Sequence, residues 1–289
     1  MILNLDKNFK PLDGEEIKFE SFTFSGGEPH IKINPNFDKL NEVTVTHRLN
    51  SFNDLGLLCL AVDALQRMDA KLKNLIIPYF PSARQDRVMI KGEPLSVKVY
   101  ADIINALNFK KVIVFDAHSE VTPAVINNCE VITNNTFIQK VIEAIGSEVL
   151  LISPDGGALK KIYKVSEFLG GVEVVECSKS RDVKTGKLTG FKVYADDLQG
   201  KDCLIVDDIC DGGGTFIGLA DELKKKNAGK LYLAVSHGIF SKGFDDLKSF
   251  EEIFTTDSFK NLETIFGKAV FYRLQMKLKI STLPQPKHC

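Results

Sequence analysis

The sequence predicts an α/β fold with two mostly parallel β-sheets, each flanked by helices. Its 289 residues exceed what one small core needs and fit two domains of ordinary size. From residue 55 onward, short β-branched runs alternate with amphipathic segments, a pattern typical of strands and helices in a parallel α/β sheet. The second half of the chain repeats this pattern in kind.

Individual elements can be read along the chain. A strand at 75–77 leads into a proline-containing loop, and a second strand at 112–115 follows the next helix. That helix is predicted from apolar residues spaced four apart, which lie on one helical face: Leu95, Val99, Ile103 and Leu107. A further helix is expected from 216 to 223, after the strand at 203–206 and the polar residues that follow it. The remaining predicted strands are 149–152, 172–176, 203–206 and 231–235.

We expect two domains, residues 1–146 and 147–289, joined near residues 144–150. No repeat at the level of individual residues supports this division. The alternative is one large doubly wound sheet. In either case ligands gather at the carboxyl ends of parallel strands, so the polar residues that follow the strands are the candidates for a site.

Composition narrows the class of partner and the compartment. With 44% hydrophobic residues the chain can bury a sizeable core, and 37 basic against 38 acidic residues leave a net charge of −1. Such a balance favours neither a nucleic-acid nor a membrane partner. The six cysteines include no CxxC pair, which matches neither a zinc site nor a disulfide scaffold. Without a signal peptide pattern or an apolar run of about 20 residues, we expect a cytoplasmic protein.

Residues 203–215 carry the strongest functional pattern. An apolar strand runs into Asp207 and Asp208, whose carboxylates can accept hydrogen bonds from sugar hydroxyls or attract Mg²⁺. A glycine-rich turn then opens a helix, and its backbone N–H groups suit a phosphate monoester. The alternative is a plain strand-to-helix turn with solvated acids. The turn comprises Asp211, Gly212, Gly213, Gly214 and Thr215.

A second pattern follows the strand at 75–77. Arg84 and Arg87 flank Gln85 and Asp86 after a proline-rich strand end. The two guanidinium groups offer forked donors for a polyphosphate, and the amide of Gln85 offers contacts to a ribose or a base. The alternative is structural, with Arg84 and Asp86 anchoring the loop by pairing with each other.

Two more strand ends offer candidate metal ligands. His118 follows the strand at 112–115, and Asp116 lies two residues before it on the same side. Asp155 follows the strand at 149–152, just before two glycines and a predicted helix. A lone histidine is more often structural, and we assign the other four histidines to that class: His30, His47, His237 and His288.

Two remaining segments can be interpreted either as purely structural or as functional. The basic stretch 176–187, which contains Lys179 and Arg181, has the composition of a solvated loop, and such loops often carry function. Near the N-terminus, Phe24 and Glu28 flank a glycine pair in a short polar segment. Phe24 is interpreted either as an ordinary core residue or as a ligand contact.

Together these segments resemble ribose-phosphate pyrophosphokinases from residue 22 to residue 215. The run 203–215 is similar to the phosphoribosyl-diphosphate (PRPP) motif that these enzymes share with phosphoribosyltransferases, with Gly212 where the family more often has threonine. The run 78–86 looks like the Pro-Tyr-Ala-Arg-Gln-Asp signature of the pyrophosphokinases, which phosphoribosyltransferases lack. The resemblance implies two phosphoribosyltransferase-like domains.

The resemblance also implies an activity, the transfer of the β,γ-diphosphate of MgATP to O1 of ribose 5-phosphate, giving PRPP and AMP. Ribose 5-phosphate would be bound by Asp207, Asp208, Asp211, Gly212, Gly213, Gly214 and Thr215. ATP would be bound by Phe24, Glu28, Arg84, Gln85, Asp86, Arg87 and His118.

The same resemblance assigns Mg²⁺ to His118 and Asp155, and catalysis to Lys179 and Arg181, with Ser180 replacing a middle arginine. Phe24 and Glu28 would reach the adenine bound to a neighbouring subunit, which implies a homo-oligomer, although Gly26 replaces a polar residue there. The short chain is closer to the archaeal type of the family than to the longer bacterial and mammalian type. The segment 89–93, which lacks the basic residues of the longer loop, points the same way.

Two other functions stay open at this point. A phosphoribosyltransferase would consume PRPP with the same glycine-rich loop, but it leaves the segment around Arg84 unexplained. A non-catalytic regulatory relative of the pyrophosphokinases would be expected to lack the catalytic lysine or the metal ligands, and this chain retains Lys179, His118 and Asp155.

Overall fold

The structure is a computed structural model that describes residues 1–38, 40–181, 188–261 and 269–274. None of the helices in these ranges is both long and apolar enough to cross a membrane. The elements up to residue 145 are β1 (Ile2–Asn4), β2 (Phe19–Thr23), β3 (Pro29–Ile33), β4 (Glu42–Thr46), α1 (Phe52–Arg67), β5 (Lys71–Ile76), α2 (Ser96–Ala106), β6 (Lys111–Phe115), α3 (Val121–Val125), β7 (Cys129–Ile132) and α4 (Asn135–Ile145).

The elements of the second half follow after Gly146. They are β8 (Val149–Ser153), α5 (Leu159–Phe168), β9 (Val174–Arg181), β10 (Leu188–Val193), β11 (Asp202–Cys210), α6 (Gly214–Lys225), β12 (Leu231–Gly238), a short 3₁₀ turn (Asp245–Leu247), β13 (Glu252–Thr256) and β14 (Ala269–Tyr272). Gly146 caps α4 in the left-handed conformation, at φ +69°, which a glycine adopts without steric cost.

The described strands form two main sheets, and both are mostly parallel as predicted. The first has the order β1-β4-β5-β6-β7 with every pair parallel. The second has the order β10-β9-β8-β11-β12-β13-β14, in which only β10 runs antiparallel to its neighbour. The small hairpin β2-β3 stands apart. The strands and helices predicted from residue 75 onward are confirmed within a few residues.

The sequence did not predict three strands of the first sheet, β1, β4 and β7, and two of these, β1 and β4, precede residue 55, where the alternating pattern begins. β1 is only three residues long, and β4 alternates valine with threonine. Both are largely buried, yet neither forms the continuous apolar run that signals a parallel strand. Their place in the sheet comes from pairing with β5 and with each other.

A shared apolar core joins the two sheets. One cluster of buried side chains draws on both halves of the chain and includes Ile113, Ile138, Leu151, Leu204 and Phe254. The helices α4 and α5 contribute to this cluster, while separate clusters fill the far side of each sheet. The interface therefore fixes how the polar ends of the two sheets face each other.

Three of the described cysteines are buried, and Cys59 and Cys129 are partly buried. Five of the six cysteines lie in the described ranges and all five are free. Burial raises the pKa of Cys177, Cys203 and Cys210 to about 12, so these thiols stay protonated and chemically quiet.

A substitution of Ile138 tests the apolar core that the two sheets share. This residue is fully buried between the sheets, and Ile138→Ala should lower the free energy of unfolding by about 2–5 kcal/mol, because it leaves a cavity that the flanking helices cannot fill. Urea denaturation followed by circular dichroism measures the change. The exposed neighbour Lys140→Ala serves as the control and should change stability little. Equal effects of the two substitutions would contradict a packed interface.

Candidate active site

A cleft of about 900 Å³ opens where the carboxyl ends of β6 and β11 face each other. Parallel strands bring their carboxyl ends to one edge of a sheet, and the shared core places two such edges opposite one another. The predicted site residues that line this cleft are Arg84, Asp86, Arg87, His118, Asp155, Lys179, Asp207, Asp208, Asp211, Gly212, Gly213, Gly214 and Thr215.

The other predicted residues lie elsewhere. Gln85 follows Arg84, and its backbone is held by Ser82 and Val97. Phe24 and Glu28 close the tip of the β2-β3 hairpin, where Phe24 is 52% exposed and packs edge-on against Phe22. The interpretation of Phe24 as a core residue is therefore wrong. The side chain of Arg181 lies outside the described part of the chain.

The glycine-rich turn joins β11 to α6. Gly213 precedes the first helical residue at φ +77°, and a Cβ there would lie 3.1 Å from Leu247 Cδ2. A side chain at this position would be strained both by the backbone conformation and by the contact. The turn thus places free backbone N–H groups at the start of a 12-residue helix, a geometry that suits an anion.

The two adjacent acids at the end of β11 differ in pKa. Burial and the neighbouring charge of Asp208 raise the pKa of Asp207 well above its usual value. Burial also acts to raise the pKa of Asp208, but the hydrogen bond from His118 and the charge of Lys161 outweigh it and lower that pKa. Asp208, with a pKa of about 2, is therefore ionised at neutral pH, whereas Asp207 holds its proton more strongly than a free aspartate does.

His118 joins the two sheets across the cleft. Its Nδ1 donates to Asp208 Oδ2 at 2.5 Å. This hydrogen bond raises the pKa of His118 against the opposing effect of partial burial. Because Nδ1 is used by the carboxylate, Nε2 is the ring atom left for a ligand in the cleft.

Arg84 also pairs across the cleft. Its Nη1 lies 3.0 Å from Asp211 Oδ2, while Ser241 Oγ donates to Asp211 Oδ1 at 2.6 Å. Asp86 instead accepts from Arg87 at 3.0 Å. The alternative in which Arg84 and Asp86 pair with each other is therefore wrong, and Arg84 reaches the glycine-rich turn.

Asp155 has the surroundings of a cation-binding carboxylate. Its Oδ1 accepts from the backbone of Gly157 at 2.8 Å and of Ala158 at 3.0 Å. Its Oδ2 pairs with the Lys179 ammonium, so this oxygen already faces a positive charge. Among the described residues, no group of three or more His, Cys, Asp or Glu side chains could hold a metal alone. Asp155 and His118 fit Mg²⁺ only where waters and phosphate oxygens complete its shell.

Sequence reasoning missed the polar network beneath the cleft. Lys161 Nζ donates to Ala117 O at 2.6 Å and lies 3.2 Å from Asp116 Oδ1. The other oxygen of the buried Asp116 accepts from Asn134 and Ser236. These residues come from both halves of the chain, and no spacing in the sequence marks them as neighbours. His237 lies beside them, buried and hydrogen-bonded to Ser258, in keeping with its structural assignment.

The two parallel sheets, the paired acids and the glycine-rich turn define an α/β protein of the phosphoribosyltransferase class. In agreement, residues 126–267 match the family model of the phosphoribosyl transferase domain, and residues 9–107 match that of the N-terminal domain of ribose phosphate pyrophosphokinase. The chain belongs to the ribose-phosphate pyrophosphokinase family.

Relatives from bacteria and archaea support this membership. A ribose-phosphate pyrophosphokinase from Thermococcus kodakarensis is 32% identical over 78% of this chain and 80% of its own length. One from Aquifex aeolicus is 31% identical over 85% of this chain and 80% of its own length. The crystal structure of phosphoribosylpyrophosphate synthetase from Mycobacterium smegmatis shares the fold, with a TM-score of 0.80, 22% identity and coverage of 94% and 93% of the two chains. The archaeal lean stays a prediction.

A substitution of Lys161 tests the polar network around Asp116 beneath the cleft. Lys161→Met should lower the free energy of unfolding by about 1–3 kcal/mol, because the buried Asp116 carboxylate loses a cationic partner. Urea denaturation at neutral pH measures the change. Lys160→Met is the matched control, since Lys160 is exposed and its contact with Glu120 is 3.6 Å long. A loss of the same size in both variants would rule out a special role for Lys161.

Proposed function

We propose that this chain transfers the β,γ-diphosphate of MgATP to O1 of ribose 5-phosphate, giving PRPP and AMP. One observation carries the proposal: the paired acids and glycine-rich turn of the second sheet share a single cleft with the Arg84 and His118 segments of the first. Membership of the pyrophosphokinase family supports the same assignment.

Ribose 5-phosphate is assigned to the second sheet. Asp207 and Asp208 accept the two sugar hydroxyls, and the N–H groups of the turn from Asp211 to Thr215 hold the 5-phosphate. That turn contains Gly212, Gly213 and Gly214, which keep the backbone open to the ligand. Asp208 is the stronger acceptor because its pKa is lowered, while that of Asp207 is raised.

ATP is assigned to the first sheet. Arg84 and Arg87 meet the phosphates, Gln85 and Asp86 meet the nucleoside, and His118 meets the phosphates or their metal. The exposed tip of the β2-β3 hairpin suits a contact outside its own subunit, so Phe24 and Glu28 are assigned to ATP on a neighbouring chain. The protein is accordingly proposed to be a homo-oligomer.

The reaction forms a bond between O1 of the sugar and the β-phosphorus, and it breaks the bond between that phosphorus and the oxygen that leaves with AMP. Such a transfer depends on alignment and on neutralising charge on the phosphate oxygens. Lys179 and Arg181 are assigned to that charge, and Lys179 is held at the cleft by Asp155. Mg²⁺, held by His118 and Asp155, would add charge neutralisation on the nucleotide phosphates.

Two further assignments complete the proposal. We place the domain boundary at residues 146 and 147, where Gly146 ends the last helix of the first half before β8 begins. We also place the protein in the cytoplasm, where the free and buried thiols would persist in reduced form.

AMP release is the direct test. The full chain is incubated with MgATP, with and without ribose 5-phosphate, and AMP and PRPP are measured together. The proposal expects equal amounts of both products and none without the sugar phosphate. A phosphoribosyltransferase would consume PRPP without ATP, and a regulatory relative would form neither product.

Lys179 is the first residue to test. Lys179→Ala should lower kcat by about 100- to 1000-fold, because the charge that stabilises the transferring phosphoryl group is lost. Calorimetry should find ribose 5-phosphate binding within twofold of the parent. Lys192→Ala is the control, since Lys192 lies on the adjacent strand with its ammonium over the Tyr194 ring. An unchanged kcat in Lys179→Ala would remove this residue from the mechanism.

Asp208 is the second residue to test. Asp208→Asn keeps the shape but loses the anionic acceptor, and it should raise the dissociation constant for ribose 5-phosphate by roughly 10- to 100-fold. Asp221→Asn, an exposed acid on α6, is the control and should bind as the parent does. Unaltered affinity in Asp208→Asn, measured by calorimetry, contradicts the sugar assignment.

A further inference from the structure

The turn after β12, residues 239–244, forms a second wall of the glycine-rich turn. Two of its backbone N–H groups, those of Ile239 and Phe240, donate to Cys210 O at 2.9 and 3.1 Å. Ser241 N donates to Asp211 O at 3.1 Å, and Ser241 Oγ holds the Asp211 carboxylate at 2.6 Å. We name residues 239–244 the flanking turn. Its position beside the glycine-rich turn is set by backbone hydrogen bonds.

The flanking turn is also held in place by the packing of its own aromatic side chains. Phe240 is only 4% exposed and packs on Phe244, with ring centroids 4.5 Å apart. Gly243 N donates to Phe240 O at 3.1 Å and closes the turn. Lys242 therefore stands at the exposed tip of a fixed turn, and the position of its Cα beside the glycine-rich turn does not depend on the side chain.

The side chain of Lys242 runs along Gly212. A Cβ built on Gly212 would lie 3.5 Å from both Cδ and Cε of Lys242 and 3.7 Å from Cγ, which is ordinary van der Waals contact. The ammonium is one bond beyond Cε. Lys242 thus brings a positive charge to the one position of the turn where a threonine hydroxyl would otherwise be expected.

The charge of Lys242 is available to an anion. Among the ion pairs of the described residues, none involves Lys242. The carboxylate of Asp211, which lies next to Gly212, is already bonded to Arg84 and Ser241. An ammonium at a helix N-terminus adds to the field that the backbone N–H groups provide for a phosphate.

We propose that Lys242 binds the 5-phosphate of ribose 5-phosphate and supplies the contact that glycine at position 212 cannot make. The inference rests on the proposed function, because it takes the glycine-rich turn as the phosphate site. It adds a residue from a different strand, outside the motif that identifies the site. A charged donor on a lysine stem replaces a neutral hydroxyl on the turn itself.

The test compares two substitutions that keep the packing on Gly212. Lys242→Met retains the aliphatic stem and removes the charge, so the dissociation constant for ribose 5-phosphate should rise about 5- to 30-fold by calorimetry. KM for MgATP should stay within twofold. Lys242→Arg restores the charge and should bind within about threefold of the parent. Lys248→Met, an exposed lysine beyond the flanking turn, is the matched control and should behave as the parent does.

A second measurement uses salt. If Lys242 contacts the phosphate, raising the ionic strength should weaken ribose 5-phosphate binding less in Lys242→Met than in the parent, because one charge–charge contact has been removed. In a Lys242→Ala background, Gly212→Thr should recover part of the lost affinity, since the vacated space admits the hydroxyl. If Lys242 affects only protein stability, the salt dependence of binding should match that of the parent, and Gly212→Thr should recover no affinity.

The outcomes separate the two proposals. If the parent binds ribose 5-phosphate and forms PRPP while Lys242→Met binds it equally well, the assignment of Lys242 is overturned and the proposed function stands. If the parent neither binds ribose 5-phosphate nor releases AMP, both proposals are overturned. Equal losses in Lys242→Met and Lys248→Met would show a general surface-charge effect and would also overturn the assignment.

Discussion

The hydrogen bond between His118 and Asp208 depends on the apolar core that holds the two sheets together, and the rest of the cleft depends on that core as well. The two residues end strands in different sheets, and they meet at 2.5 Å only because a shared apolar core holds the sheets together. Large buried side chains on both halves set the distance between the two strand ends. Loosening that core would separate the cleft into two half-sites, each with part of the polar machinery.

The cleft is neutralised by its own residues. Arg84 pairs with Asp211, Lys179 with Asp155, and Lys161 with Asp116, so cationic groups meet carboxylates across or beneath the cleft. Carboxylates taken partly out of water are costly unless they are paired, which explains why a site rich in acids is also rich in these contacts.

Much of the fold and of the site follows from local patterns. The strands β5, β6, β8, β9, β11 and β12, the helix at 96–106 and the glycine-rich turn all have signals within a few residues of sequence. The strands β1 and β4 do not, because their burial comes from pairing rather than from their own apolar runs. Phe24 shows the same limit: its apolar character was compatible with a core position, and only the hairpin geometry places it at an exposed tip.

The sequence by itself determined which residue types stand at the strand ends, because spacing and chemistry along the chain are local properties. The sequence therefore predicted that Asp207, Asp208, His118 and Asp155 stand at strand ends, and the structure places all four at the cleft. The tertiary structure alone decided which groups meet. Arg84 reaches Asp211 across 127 positions of sequence, and Lys242 lies along Gly212 because a strand-end turn folds back over it. Such contacts depend on the packing of distant elements, and no short stretch of sequence encodes that packing.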